Sequence, residues 1–380
     1  MNSSSCSILF GGDICPQERV ESLLLEKKYS DVFSDLKAVA SGYDFSIVNL
    51  ECPIVEKGDI CEPIEKCGRN LKCSGEIINA LEDAGIKGVT LANNHVRDYG
   101  DSAILKTITQ LDKRGIAHVG AGQTLNDARR ILYKEVNGRS VAFVNFCENE
   151  FSIATDDRAG AAPMDAVNNY EDITQARKNA DIVIVIVHGG HEFYQLPSPR
   201  MKKLYHWYID LGADAVINHH QHCFSGYEYY KEKPIFYGLG NLCFDKALKR
   251  NDNWNQGFLV ALSFGESISH HIIPYEQCNE IPKITILNEG NDKAVLDSIA
   301  LLNKVIVDDT ELKRKHDLFC KNRFGELNMY LSPYQNKYLR LLCNKGLLPS
   351  FVTNNKKKFI SNYVFCESQR DLFEKYLTAE

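Results

Sequence analysis

Short apolar runs alternate with amphipathic stretches through the first two thirds of the chain. The runs are rich in β-branched side chains, as buried strands are, and they predict strands at 7–10, 44–48, 88–91, 141–144, 182–187 and 215–217. The amphipathic stretches predict helices at 74–84, 103–114 and 199–211. This alternation is typical of an α/β protein with a largely buried sheet.

Residue types that bind metal ions follow nearly every predicted strand, at the point where the chain leaves the sheet. Open α/β sheets bind ligands at the carboxyl ends of their strands, because loops from separate strands converge there. The six strand ends therefore predict one common site. They carry Asp13, Asn49 with Glu51, the run 93–95, Asn145, His188 with Glu192, and the run 218–222.

The pattern changes after about residue 280. Segments 292–307, 311–324, 333–344 and 357–377 predict helices rich in Lys, Leu and Phe, and none carries a cluster of metal-ligand types. We therefore expect two parts, a domain at 1–280 and a helical region at 281–380 that packs on the domain or contacts a partner. The sequence contains no internal repeat, and no long linker lies between the two parts.

Composition narrows the class of protein. The 380 residues carry 44 Lys and Arg against 50 Asp and Glu, a net charge of -6. Proteins that bind nucleic acid or anionic membranes in general need a basic surface, so this charge argues against both classes. The longest notable apolar run, 182–187, is far too short to span a membrane. The first residues lack a basic segment followed by an apolar stretch, so we expect a cytoplasmic protein whose thirteen cysteines are reduced thiols.

The candidate ligands each have an ordinary structural alternative. His220 and His222 directly follow a strand and can direct two imidazoles at one ion, or belong to a surface loop that contains three histidines. Asp13 could simply form a turn, and His188 could be a buried histidine without a ligand role. Taken together, the set is a mixed oxygen and nitrogen shell without thiolates, which favours two manganese, iron or zinc ions. Its members are Asp13, Glu51, Asn94, His188, His220 and His222.

A possible acid catalyst lies next to one of these ligands. His95 is adjacent to Asn94 and cannot easily bind the same ion, so it is expected to face the substrate, where it can donate a proton or stabilise developing negative charge. Asp98 is close enough in sequence to orient that imidazole. The structural alternative is helix capping, with Asn93 or Asn94 as the N-cap and Asp98 in the first turn.

The order of these motifs resembles the CapA family, the poly-γ-glutamate capsule synthesis proteins, which have the fold of calcineurin-like metallophosphoesterases. The matching segments are 12–13, 49–53, 92–100, 188–192, 212–217, 220–222 and 235–242. The resemblance implies a four-layer α/β/β/α sandwich, and the helical C-terminal extension lies outside it. It also implies that the six ligands above bind metal, that His95 is the proton donor, and that the substrate site is lined by Asn49, Glu192, Tyr237 and Asn241.

Three functions follow from these observations. The first is a metal-dependent hydrolase that cleaves a phosphoester with water activated on the ions while His95 protonates the leaving oxygen. The second is hydrolysis or transfer at a γ-glutamyl amide, and the third is a non-catalytic accessory role in capsule or polysaccharide assembly. All three predict a small-molecule or polymer substrate that bears phosphate or carboxylate, and none predicts a nucleic acid partner. The residues leave the choice between phosphoester and amide open.

Overall fold

The computed structural model describes residues 5–288, 290–334, 336–365, 369 and 376–377. The chain divides into two compact units, Met1–Leu312 and Lys313–Glu380. The division at residue 280 that we expect from the sequence stays a prediction. No helix within the described ranges combines the length and the apolar character needed to cross a membrane.

Sixteen strands lie within the described residues. They are β1 (Cys6–Ile14), β2 (Phe45–Leu50), β3 (Gly88–Thr90), β4 (Ala117–Val119), β5 (Ala121–Gly122), β6 (Leu132–Val136), β7 (Arg139–Cys147), β8 (Gly160–Ala161), β9 (Ile182–His188), β10 (Ala215–His219), β11 (Tyr227–Tyr230), β12 (Lys233–Phe236), β13 (Asn241–Cys243), β14 (Gln256–Phe264), β15 (Ile268–Gln277) and β16 (Ile284–Ile286).

Eleven α-helices accompany these strands in the described part of the chain. They are α1 (Glu18–Leu25), α2 (Tyr29–Ala40), α3 (Glu76–Asp83), α4 (Gly100–Arg114), α5 (Leu125–Ala128), α6 (Ala166–Asn179), α7 (Pro199–Asp210), α8 (Lys293–Val307), α9 (Asp309–Tyr330), α10 (Lys337–Asn344) and α11 (Asn354–Phe365).

The strands form two main sheets. The first has the order β16-β15-β14-β1-β2-β3-β4, with β13 pairing at the carboxyl end of β1, and its members β1 to β4 are parallel. The second has the order β11-β12-β10-β9-β7-β6, and its four central strands are parallel. Strands β5 and β8 form a separate antiparallel pair. Parallel central strands bring the carboxyl ends of each sheet to one edge.

Apolar side chains fill the three interfaces between four layers of secondary structure, in the order helices, sheet, sheet and helices. Phe10 and Phe258 of the first sheet pack with Phe143 and Ile184 of the second, which forms the core between the two sheets. Helices α1 to α4 cover the outer face of the first sheet, and α6 and α7 cover the outer face of the second. The α/β/β/α sandwich and the helical C-terminal region expected from the sequence are therefore confirmed.

The predicted elements match the observed ones with small shifts at their ends. Strand β1 runs past the predicted 7–10, because its apolar pattern continues through Gly11 and Gly12 to Ile14. A Cβ atom on Gly12 would lie 1.9 Å from the carbonyl oxygen of Gly240, so only glycine permits this close pairing. Helix α11 begins at Asn354 instead of 357, and the last part of the predicted helix 357–377 lies mostly outside the described residues.

Candidate active site

The carboxyl ends of strands from both sheets meet at one place. Asp13 lies near the end of β1, Glu51 directly follows β2, and His188 is the last residue of β9. His220 and His222 follow β10 in the next loop. Within the described residues, these side chains form two groups whose ligand atoms lie within 4.8 Å of one another: Glu51 with His188 and His220, and Glu51 with Asp13 and His222.

Glu51 belongs to both groups and is the most isolated charge of the site. Its side chain is completely buried, and neither carboxylate oxygen accepts a hydrogen bond from any described residue. Burial raises the pKa of Glu51 well above its usual range, and the negative charge of Asp13 raises it further. A buried carboxylate without hydrogen bonds is costly unless a cation neutralises it. The position of Glu51 therefore fits a metal ligand that the two groups share.

The first group converges on one nitrogen of His188. Its Nε2 atom lies 3.0 Å from Oδ1 of Asn94, 3.1 Å from Nδ1 of His220 and 3.4 Å from Oε1 of Glu51. The single hydrogen that Nε2 can carry cannot form hydrogen bonds with all three of these atoms. Ligands about 2.1 Å from an ion lie roughly 3.0–3.4 Å apart at octahedral or tetrahedral angles. Burial and the neighbouring His220 lower the pKa of His188 well below its usual range, which keeps the imidazole neutral, as a ligand must be.

The second group depends on the orientation of His222. Its Nδ1 atom is hydrogen-bonded to Oδ1 of Asn241 at 2.9 Å, and its Nε2 atom lies 3.7 Å from Oε1 of Glu51. A hydrogen bond to one ring nitrogen fixes the tautomer and leaves the other nitrogen available to a metal ion. Asn241 therefore orients the His222 ring toward Glu51.

Asp13 completes the second group and is held on both oxygens. Asn49 donates from Nδ2 to Oδ1 at 2.7 Å, and the backbone N–H of His220 donates to Oδ2 at 3.2 Å. Burial acts to raise the pKa of Asp13, but the nearby His219 and His188 rings outweigh it and the pKa lies below its usual range. Asp13 is therefore an ionised carboxylate fixed at the carboxyl end of β1.

The loop that carries His220 and His222 has an unusual backbone. Both residues have positive φ angles, 93° for His220 and 55° for His222, in the region that side chains other than glycine rarely adopt. Such conformations persist where the surrounding structure holds them, and they concentrate at functional sites. Here the turn directs two imidazoles, separated by one residue, into the same buried cluster.

His95 lies beside this cluster and is bound to Asp98. Nδ1 of His95 lies 2.6 Å from Oδ2 of Asp98, so Nε2 is the nitrogen left for a substrate. Lys66 forms an ion pair with the other oxygen of Asp98, and its Nζ atom lies 3.0 Å from Nδ1 of His95. Asp98 also accepts a hydrogen bond from the backbone N–H of Leu71 at 2.6 Å. Asp98 thus orients His95 and at the same time anchors the loop that contains Lys66 and Leu71.

The sequence matches a known family over most of its first unit. Residues 7–246 match the family described as "Bacterial capsule synthesis protein PGA_cap". The chain belongs to the PGA_cap family. All six candidate ligands, together with His95 and Asp98, lie inside the matched residues.

Individual relatives of this PGA_cap protein have names related to capsule synthesis. The chain is 32% identical over 247 residues to "Capsule biosynthesis protein CapA" of Bacillus anthracis, covering 63% of this chain and 60% of the relative. It is 31% identical over 247 residues to "PGA biosynthesis protein CapA" of Bacillus subtilis, covering 64% of each chain. It is 29% identical over 215 residues to "Probable polyglutamine synthesis accessory protein Rv0574c" of Mycobacterium tuberculosis, covering 53% and 56%. The match thus spans less than two thirds of each of these relatives.

The four residues expected to line the substrate site occupy different positions in this PGA_cap protein. Asn49 and Asn241 are completely buried behind the ligands Asp13 and His222. Glu192 is exposed and lines the cleft in front of them. Tyr237 is not brought into the cluster. Its hydroxyl group donates to Oε1 of Glu228 at 2.7 Å, and its ring stacks on Tyr205 in the core below the second sheet.

Three residues of the site received no individual role from the sequence. Lys66 lies in the irregular segment between β2 and α3, where no periodicity indicates which side chains point inward. Glu150 follows β7, and its Oε1 atom lies 3.8 Å from Nε2 of His220. His219 lies 3.4 Å from Asp13 through Nδ1 and Oδ1. Its position at the carboxyl end of β10 was the signal that could have identified it.

A cleft of about 330 Å³ opens in front of the cluster in this PGA_cap protein. His95 and Asn94 lie on its floor, and Phe193 and Trp254 form an aromatic wall with ring centroids 6.0 Å apart. Basic and acidic side chains both line the cleft, namely Lys66, Arg69, Lys246, Glu18, Glu150, Glu192 and Asp245. Three of these side chains are basic and four are acidic, and the basic Lys66 is paired with Asp98 next to His95.

Proposed function

We propose that this chain is a metal-dependent hydrolase that acts in the synthesis of a capsule polymer and cleaves a phosphoester. The observation that carries the proposal is the completely buried Glu51, which accepts no hydrogen bond from the described residues and is shared by two groups of ligands. Two divalent ions of the manganese, iron or zinc type match the mixed carboxylate, amide and imidazole donors.

Six side chains would hold these ions, and two others support them. The holding residues are Asp13, Glu51, Asn94, His188, His220 and His222. When bound, such a pair of ions supplies Lewis acidity and lowers the pKa of bound water. Asn241 keeps His222 in one orientation, and Asn49 holds Asp13 by a 2.7 Å hydrogen bond. These supporting contacts would fix the ligands before an ion arrives, which reduces the cost of binding it.

His95 is the group that we assign to proton transfer. Its Nδ1 atom is bound to Asp98, so Nε2 is the atom that would donate a proton to the leaving oxygen. Asp98 holds the ring in this orientation, as the carboxylate does in other histidine-based catalysts. Lys66 balances the buried charge of Asp98 and also lines the cleft, where it would attract the anionic group of the substrate.

A γ-glutamyl amide is the second candidate substrate. The Bacillus subtilis relative is named for PGA biosynthesis, and three basic side chains at the cleft suit the free carboxylates of a glutamyl chain as well as they suit a phosphate. The same ions would polarise an amide carbonyl. The Mycobacterium relative is named an accessory protein, and that non-catalytic role is disfavoured by His95 and Asp98, since a binding protein needs no proton donor.

A substrate screen with defined metal content separates these functions. Purified protein is treated with chelator, supplied with Mn²⁺, Fe²⁺ or Zn²⁺, and incubated with phosphomonoesters, phosphodiesters and γ-glutamyl peptides, with His95→Ala as the control. We expect turnover of a phosphoester that depends on metal and on His95. Turnover of γ-glutamyl peptides and of no phosphoester would assign the amide, and not the phosphoester, as the substrate class. No turnover in any class, with no more than trace metal bound, would overturn the enzyme proposal.

We also propose that the protein works in a reducing, cytoplasmic environment. All twelve cysteines in the described part of the chain are free thiols, and Cys15, Cys52 and Cys73 are buried together next to the metal ligands. Burial raises the pKa of Cys15 to about 11, so the thiol rather than the reactive thiolate is its stable form.

A further inference from the structure

The small net charge of the chain conceals opposite charges on its two units. Residues 1–312 contain 31 Lys and Arg against 44 Asp and Glu, whereas residues 313–380 contain 13 Lys and Arg against six Asp and Glu. The stretch 327–366 contains no Asp or Glu at all. It contains six basic residues: Lys337, Arg340, Lys345, Lys356, Lys357 and Lys358. A charge difference of this size between two parts of one chain indicates a separate role for the basic part.

We call residues 327–365 the basic segment, and its described part is folded around a small interior of its own. Cys343 and Val352 are buried within the second unit. The hydroxyl group of Tyr334 donates to the carbonyl oxygen of Pro349 at 3.0 Å, and the Tyr334 ring lies 5.7 Å from that of Phe351. The basic segment is therefore an ordered surface and not a charged tail.

Large apolar side chains project outward from this ordered segment. Tyr338 is 74% exposed, Leu347 is 68% exposed and Phe359 is 70% exposed. Other exposed apolar residues of the segment are Leu327, Tyr330, Leu331, Leu339, Leu341, Leu342, Phe351 and Val364. Exposed apolar groups at this density mark an interaction surface, because folding alone would bury them.

Basic and apolar residues alternate closely along the two helices of the segment. In α10, Tyr338, Leu341 and Leu342 share one side at a spacing of three and four residues. Lys337 and Arg340 lie three residues apart beside them. In α11, three consecutive lysines precede Phe359. Short helices in which Lys and Arg lie next to exposed Leu, Phe or Tyr can bind at the interface of anionic membranes, with the charges on the headgroups and the apolar side chains below them.

We propose that the basic segment docks this protein on an anionic lipid surface without crossing it. Lysines would contact the acidic headgroups while Tyr338, Leu347 and Phe359 enter the boundary between headgroups and acyl chains. Nucleic acid would pair with the lysines but leave the exposed leucines in water. A symmetric contact between two copies would place basic segments against each other, which like charges oppose. An anionic bilayer matches both the charge and the apolar side chains.

Vesicle sedimentation with the full-length protein tests this proposal. The probes are vesicles of phosphatidylcholine alone and vesicles with about 30% phosphatidylglycerol, at low salt and at 0.5 M salt. We expect sedimentation with the anionic vesicles, little with the neutral ones, and a clear loss at high salt. We expect a variant with Lys356→Gln, Lys357→Gln and Lys358→Gln to bind the anionic vesicles at least about tenfold more weakly.

Two further variants separate charge from apolar insertion. The control Lys27→Gln, Lys178→Gln, Lys203→Gln removes three exposed lysines from the first unit and should bind like the unmodified protein. Leu341→Gln with Leu347→Gln keeps every charge and should also weaken binding. Circular dichroism and gel filtration check that each variant is folded and has its original size.

Three outcomes would overturn the proposal. Equal sedimentation with neutral and anionic vesicles would remove the role of charge. Retention of single-stranded RNA, but not of anionic vesicles, would assign the basic segment to nucleic acid. A stable dimer that is lost in the Leu341→Gln, Leu347→Gln variant, with no vesicle binding, would assign the segment to self-association. None of these outcomes depends on whether the first unit is an enzyme.

Discussion

The ammonium group of Lys66 pairs with the carboxylate of Asp98 where only 3% and 0% of the two side chains are exposed. The second oxygen of Asp98 lies 2.6 Å from Nδ1 of His95 and 2.6 Å from the backbone nitrogen of Leu71. A buried charge that loses its partner costs several kcal/mol. One ion pair therefore links the stability of the loop around Lys66 to the orientation of His95.

Replacing Lys66 by methionine is expected to destabilise the protein strongly. Lys66→Met leaves the Asp98 carboxylate buried without its counter-charge, and we expect a loss of about 3–5 kcal/mol in the free energy of unfolding. Urea denaturation followed by circular dichroism measures it. The matched control is Lys106→Met, whose pair with Asp59 is 29% exposed on both side chains and should contribute about 1 kcal/mol or less. Equal losses in the two variants would contradict the buried pair.

Replacing His95 is expected to reduce turnover without removing metal. His95→Gln keeps a polar side chain of similar size but cannot donate a proton as imidazolium does, and we expect a rate lower by roughly 10²–10⁴-fold. Metal content, measured by atomic emission, should stay that of the unmodified protein. His118→Gln is the control, because His118 pairs with Asp112 on the surface of the first unit. Native turnover by His95→Gln on any phosphoester would remove His95 from the reaction.

The convergence of the candidate ligands was predictable because it follows from the parallel strands. Asp13 and Glu51 lie at the ends of neighbouring parallel strands of the first sheet, and His188 ends a parallel strand of the second sheet. The apolar runs that identify those strands are clear in the sequence. Strand order within each sheet needed no separate prediction, since parallel strands of one sheet end at the same edge; that the ligands come from two sheets was not predicted from the residues.

Other parts of the site depend on backbone geometry that a sequence pattern does not encode. The positive φ angles of His220 and His222 direct their rings inward, and no residue type at these positions predicts such angles. Lys66 lies in an irregular segment and becomes part of the site only through its contact with Asp98. Tyr237 and Asn241 are four residues apart in one motif, yet the chain turns between them at Gly240, with φ of 83°, and they face different layers.

Asn241 and Tyr237 therefore make a matched pair for a test of metal binding. Asn241→Ala removes the hydrogen bond that orients His222, and we expect metal affinity to fall by about 10–100-fold. Tyr237→Phe removes only the hydrogen bond to Glu228 in the core and should leave metal affinity unchanged, at a cost of about 1–3 kcal/mol in stability. Calorimetric titration with Mn²⁺ measures both. A loss of affinity in Tyr237→Phe alone would reverse the two assignments.

Glu21 provides a pH dependence that is separate from the metal ligands. Burial raises the pKa of Glu21 above its ordinary value of 4.5, against the opposing hydrogen bonds from Ser74. The folded state therefore binds more protons than the unfolded state in this range, so stability should fall as pH rises from about 4.5 through the raised pKa. Glu21→Gln should remove this decline and raise stability at neutral pH. Urea midpoints between pH 4.5 and 7.5 test it, and parallel curves for the two proteins would contradict it.

Glu51 makes the sharpest prediction, because its replacement should act in opposite directions with and without metal. In chelator-treated protein, Glu51→Gln removes a buried carboxylate that accepts no hydrogen bond from the described residues, so the thermal midpoint should stay equal or rise. With Mn²⁺ at about 100 times its dissociation constant, the unmodified protein should gain roughly 2.7 kcal/mol and the variant much less. Thermal unfolding of both proteins, each with chelator and with Mn²⁺, measures the crossover. If Mn²⁺ stabilised the two equally, Glu51 would not be a ligand and the bridge between the two groups would be lost.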